Sequence, residues 1–277
     1  YIVTRLLLAV PTLVGAAALV FILMRLIPGD VCVIRMGMGG SHVNQSAIDA
    51  CRQALGLNNP LIVQFFQFLA DYFTFNFGTS MWSGRPVVVE IANRLPVSLQ
   101  IAVMATAIAV LLAIPLGTIS ALKENTWLDH FVRIVAVAGI ATPSFWLGIM
   151  SLVLVLDITY WTTGKAWMPP IDYVSFWKDP IRNLSMVALP AITVGYRYSA
   201  VTMRMTRSAM LEVMREDCIR TARSKGLLEQ IIVNRHALKN ALLPVVTLIG
   251  IEFAFLIGGL VVTEQVFNLN GIGRLFV

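Results

Sequence analysis

Long apolar runs separated by short charged segments dominate this chain. A helix needs about 20 consecutive apolar residues to cross the hydrocarbon core of a bilayer. Five stretches reach that length: 2–27, 98–122, 131–156, 184–203 and 241–262. The pattern predicts an all-α, polytopic transmembrane helical bundle with five spans, built as a single domain over 1–277. A more polar external insertion, 28–97, separates the first two spans, and a charged loop, 204–240, precedes the last. Pro28-Gly29 ends the first helix. Ser46-x-x-Asp49 reads as a capping box opening a short helix that runs to Leu55 and closes at Gly56. After Pro60, the run LIVQFFQFLADYFTFNF is apolar enough to be taken for a span. Gln64, Gln67 and Asp71 share one of its faces, so a helix lying flat in the membrane interface fits it better.

Two further features belong to the same pattern. Pro143 falls inside the third span, where neighbouring helices and Thr142 are expected to satisfy the carbonyl it frees. Arg25, near the end of the first span, is expected to snorkel to the headgroups, and Trp161, Trp167 and Trp177 to anchor the 157–183 loop at the interface.

Composition agrees with membrane residence: 57% of residues are hydrophobic, 13% are charged, and the mean hydropathy is +0.78. The net charge of +6 raises nucleic acid as a partner, but its distribution argues against one. Eight Lys and Arg fall within 204–239, the densest basic stretch of the chain. Basic loops of this length face the cytoplasm, which also places the N-terminus and the 123–133 loop inside. The 28–97 insertion, the 157–183 loop and the tail from Thr263 then lie outside. Cys32 and Cys51 share that external side, where a disulfide between them competes with two unpaired thiols; Cys218 lies in the reducing cytoplasm.

Candidate chemistry is sparse. No G-x-x-x-x-G-K-[ST] phosphate cradle is present, since Gly164-Lys165 is followed by Ala166. His42, His130 and His236 lie in different loops and form neither a catalytic nor a metal-ligating pattern. The sequence therefore implies no enzyme, no resident cofactor and no metal. Two charges lie within spans, Arg197 and Glu252, and ionisable residues at membrane depth face a partner or a water-filled path. Glu252 lies opposite a small-residue stripe of Gly250, Ala254 and Gly258. It has three readings: a group lining a translocation path, a structural pair with Arg197, or a pair with another subunit.

The segment REDCIRTARSKGLLEQIIVNRHALKNALLPVV, 215–246, carries the most specific signal. Charges of both signs on a helix over 214–225, a break at Gly226 and a second helix suit a docking element projecting from the bilayer. Leu227 and Leu228 are candidate knobs for an apolar groove; the competing reading is a solvated loop whose charges only set topology. Thr221-Ala222-x-x-x-Gly226-Leu227, followed by Arg235-His236-Ala237-Leu238-x-Asn240-Ala241-Leu242-Leu243-Pro244, resembles the cytoplasmic coupling loop of ABC importer permeases of the dipeptide/oligopeptide/nickel type. Arg220 stands where the general loop pattern has Glu, as in the peptide branch. LGLNNPLIVQFFQFL, FGTSMWSGRPV, IPLGTISALKENTWLDHFVR, TPSFWLG, MTRSAMLEV and LIGGLVVTEQVF extend the resemblance along nearly the whole chain.

The resemblance implies a permease subunit of the bacterial inner membrane, with its N-terminus cytoplasmic. It implies a second homologous permease, two cytoplasmic ATPase subunits that hold the ATP and Mg, and a periplasmic or lipid-anchored substrate-binding protein. Membrane lipids surround it, and nucleic acid is no partner. The ATPases would dock on Glu216, Asp217, Arg220, Thr221, Ala222, Lys225, Gly226 and Leu227. Peptides, nickel chelates and glutathione are the cargoes it suggests, and a sixth span is expected beyond Val277. An ATP-independent secondary transporter or channel is the alternative; one mid-span acid and no half-to-half symmetry weaken it. A non-transporting scaffold would explain the loop but not Glu252.

Overall fold

The computed structural model describes residues 2–37, 45–80, 83–258 and 260–276. Among them the architecture is helical, and β pairing is limited to one isolated bridge, Thr79 to Pro86. The chain divides into two compact units, 1–92 and 93–277.

The first unit opens with α1 (Ile2–Leu26), an almost wholly apolar helix with most of its surface exposed. Pro28 and Gly29, the latter at φ +138°, end it. Asp30 then starts α2 (Val31–Gly37), its carboxylate accepting the Cys32 N–H at 2.8 Å. The same carboxylate receives Arg52 Nε at 2.7 Å from α3 (Gln45–Ala54), which already contains Ser46, the residue expected to cap it. A Cys32–Cys51 disulfide, with Cα atoms 5.9 Å apart, pins α2 to α3. Gly56, at φ +64°, closes α3, with the Leu57 N–H donating to Arg52 O at 2.9 Å.

The next helix, α4 (Leu61–Phe73), has 13 residues, too few to span. Its Gln64 is buried rather than solvated, and the amide donates to Leu57 O at 3.0 Å and Asn59 O at 2.6 Å. Arg25 does not simply reach toward headgroups: it donates to Gln64 Oε1 and lies over the Phe21 ring. Phe21 in turn packs on Phe65 and Phe68, with centroids 5.5 and 5.8 Å apart.

The boundary between the units falls within α5 (Val87–Leu122). This helix starts three turns before the expected span and continues through Pro96 and Pro115. The expected third span is not continuous. It is α6 (Trp127–Ala141) and α7 (Ser144–Thr163), separated by Thr142 and Pro143 in extended conformation. A residue preceding proline is pushed out of the α region, so the helix stops there, although Thr142 Oγ1 does bond Ala138 O at 2.7 Å. The fourth expected span lies inside the much longer α8 (Pro180–Val213). Among the described residues, four helical segments can cross a membrane by length and composition, not five: 3–26, 87–122, 144–163 and 229–258. α8 is long enough, but its arginines and hydroxyl residues make it less apolar.

α8 is the most buried helix of its unit, packing against α6, α7 and α11 (Leu238–Gly258). Close approach depends on glycine. A Cβ at Gly195 would meet Ala105 O at 2.8 Å, and one at Gly117 would meet Met203 O at 2.8 Å. After α8 come α9 (Asp217–Ser224), the short α10 (Glu229–Ile231) and a π-helical turn, Ile232–Ala237, continuous with α11. The last span ends at Gly258 instead of reaching Val262; α12 (Val261–Val266) follows, then a 3-10 turn, Gly273–Phe276. Gly259, part of the family-like LIGG string, lies outside the described residues.

Candidate functional site

The charged loop begins later than its pattern implied. α8 extends to Val213 and tightens through Arg215 and Glu216, whose N–H groups bond Glu212 O at 3.1 Å and Val213 O at 3.0 Å. Glu216 is extended, so the loop helix starts at Asp217, not at 214. An acid in the first turn and Arg223 in the last complement the helix dipole. At the other end Gly226 N–H donates to Arg223 O at 2.9 Å and Leu227 N–H to Ala222 O at 3.4 Å, a Schellman closure. Gly226 sits at φ +76° with open space around its Cα, so glycine is required there by backbone geometry and not by crowding.

α9 has two distinct faces. Ile219 and Ala222 are buried on Ile232, Val233 and Ala237 of the π turn and on Met210 of α8. Glu216, Asp217, Arg220, Thr221, Lys225, Gly226 and Leu227 are exposed, as is Leu228, whose side chain is 71% accessible. Ala222, expected among the docking residues, therefore faces inward. Arg223 clips α9 to α10 through Glu229, at 2.6 Å from Nη2 to Oε1.

Beneath the loop lies a cluster that sequence reasoning missed. Asp129, fully buried at the start of α6, accepts Arg207 Nε at 2.7 Å and Nη2 at 2.8 Å. It also accepts the Ser120 hydroxyl at 2.6 Å and the Asn125 N–H at 3.0 Å. The guanidinium first, then these neutral donors, hold its carboxyl well below the usual carboxylate range against the opposing effect of burial. The cluster joins α5, the turn before α6 and the last turns of α8, the helix that leads into α9. Its partners are 78 residues apart in sequence, and no local pattern links them.

Arg197 and Glu252 are not brought together. Glu252, 9% accessible, accepts the Thr202 hydroxyl of α8 at 2.8 Å. Arg197 is exposed, its guanidinium 5.9 Å from the centroid of the Tyr198 ring. Gly250, Ala254 and Gly258 do form an exposed stripe away from Glu252. Near the end of the chain, Glu264 is buried and accepts the Ser98 hydroxyl at 2.6 Å and the Arg274 N–H at 2.9 Å, a purely structural placement.

Several apolar helices able to span, and between them a two-faced polar helix held by an apolar seam, define a polytopic helical membrane protein. Comparison with known proteins places it more finely. The family described as binding-protein-dependent transport system inner membrane component matches residues 113–277, and its N-terminal companion matches residues 1–102. The chain belongs to this family of ABC-type permeases. It is 40% identical over 269 residues to a Brucella abortus (strain 2308) protein named as a peptide transport system permease, covering 97% of this chain and 83% of that one. It is 38% identical over 277 residues to the glutathione transport system permease protein GsiC of Salmonella typhimurium (strain LT2), covering 100% of this chain and 85% of the relative. The same identity and coverage hold for the protein of that name in Pectobacterium atrosepticum. The chain is thus a multi-pass inner-membrane permease subunit of a binding-protein-dependent system, and not itself a catalyst.

Proposed function

We propose that this chain is one permease half of an ATP-driven importer that carries small peptides, glutathione among them, from an external binding protein into the cytoplasm. Relatives named for peptide and glutathione transport support the cargo class. The second half is a homologous permease, and two ATPases holding ATP and Mg dock on the cytoplasmic face. With α8 crossing as a further span, the N-terminus shares that face with the basic 204–239 loop. The observation that carries the reading is the construction of α9. Its apolar residues are spent inside the chain, leaving Asp217, Arg220, Thr221, Lys225 and the exposed Leu227 for a partner. Arg197, exposed on α8, is the translocation-path candidate; Glu252 joins it only if α8 and α11 move apart.

The test uses full-length protein purified in mild detergent from its native membrane, with bound proteins identified by mass. Wild type should retain a second permease and two ATPases. Arg220→Glu combined with Leu227→Asp alters only exposed positions, and should release the ATPases while the second permease stays. A chain that purifies alone and transports in liposomes without ATP would establish the ATP-independent carrier instead.

A further inference from the structure

We propose that the cleft where α1 meets α4 is a binding site for the headgroup of a zwitterionic phospholipid that carries a primary amine. The inference requires only that α1 spans the membrane and does not depend on the cargo. The apolar window Val3–Leu26 has 24 residues, or about 36 Å of helix at 1.5 Å per residue, enough to cross the hydrocarbon core. Arg25 therefore stands at the level of the lipid phosphates.

The cleft, about 630 Å³, is walled by Phe21, Met24 and Phe68 and edged by Gln67, Arg25 and Asp71. Among the described residues, Arg25 and Asp71 are its only charged lining residues, of opposite sign. Arg25 is held in place from both sides. Its guanidinium lies 5.4 Å from the Phe21 centroid and one N–H is taken by Gln64 Oε1. Gln64 itself is fixed by the carbonyls of Leu57 and Asn59. A guanidinium carries five N–H donors, so most of them can still turn to a phosphodiester. Asp71 accepts one bond, from Asn76 Nδ2 at 3.2 Å, and leaves acceptor capacity for an ammonium N–H.

The same pair of charges would suit the two ends of a peptide. The surroundings favour a lipid. Leu61, Ile62, Phe66 and Phe73 of α4 are exposed, and so is most of α1. Acyl chains descending from the headgroup would cover that apolar surface, whereas a dipeptide would leave it bare.

The purified full chain, placed in phosphatidylcholine nanodiscs doped with phosphatidylethanolamine, tests this by native mass spectrometry of retained lipid. Wild type should retain phosphatidylethanolamine over phosphatidylcholine by roughly tenfold, because a choline group has no N–H to donate. Asp71→Asn should abolish that preference while lipid is still held. Arg25→Gln should lower retention of both lipids severalfold. Asp71 is exposed, so its variant reads the site even if Arg25→Gln folds poorly. Equal retention of the two lipids by wild type, or a preference that survives Asp71→Asn, would overturn the proposal. Displacement of the lipid by millimolar dialanine would reassign the cleft to solute.

Discussion

Asp129 is a carboxylate removed from water and met by donors from three places in the chain, Arg207, Ser120 and the Asn125 backbone. Removing one partner of a buried ion pair leaves an uncompensated charge, at a cost of about 3–5 kcal/mol. Asp129→Asn strands Arg207 in that way and should destabilise the fold by about that much at neutral pH. The pH dependence has a definite sign. The native carboxyl is held below its ordinary value of 3.8, so its contribution is complete above that value and is lost as pH falls toward the lowered native one. Proteolytic unfolding of wild type and Asp129→Asn should therefore show a constant stability gap from pH 7 to about 5, narrowing below about 4. A gap that already closes between pH 7 and 5 would mean that Asp129 is not held in this way. At this scale Gly226 was legible in the sequence because a helix break is a local property, and its φ of +76° is what the pattern demanded. Asp129 was not legible, since WLDHF looks like any charged loop until α8 brings Arg207 beside it.

Among the elements, the disulfide between α2 and α3 closes a loop with a sequence separation of 19 residues. Cross-links of that span contribute roughly 3 kcal/mol by constraining the unfolded chain. Cys51→Ser should raise amide exchange in α2 and α3 by about two orders of magnitude on that figure, while α8 and α11 keep their protection. Equal loosening throughout would show that the external segment is not a separate cooperative unit. The hydrophobic pattern predicted where most helices lie and misplaced their ends. Periodicity cannot decide whether Pro143 kinks a helix or ends it; the two extended residues at 142 and 143 follow from backbone sterics plus neighbours the pattern does not contain. The small residues Ala105, Ala109, Ala113 and Gly117, four apart on α5, are buried and form a close-packing stripe. The π turn at Ile232–Ala237 was not readable, because its wide turn serves the apolar seam under α9 and no residue in it is a helix breaker.

For the molecule as a whole, the proposed orientation turns on which side of the membrane the basic loop occupies, and the chain's three cysteines can report it. Cys218 is a free, exposed thiol on α9, whereas Cys32 and Cys51 are bonded to each other. A membrane-impermeant maleimide added to intact spheroplasts should leave the protein unlabelled. The same reagent applied to inverted vesicles should label one thiol, Cys218. Mild reduction of the spheroplasts should then open the partly accessible Cys51 to labelling from outside, which shows within one experiment that the reagent reaches the protein. Cys218→Ser should lose only the inverted-vesicle signal. Labelling of Cys218 in intact spheroplasts would put the basic loop outside, and with it α9. No cytoplasmic ATPase could then reach Arg220 or Leu227, and ATP-driven import would fail on geometry alone, whatever the family resemblance.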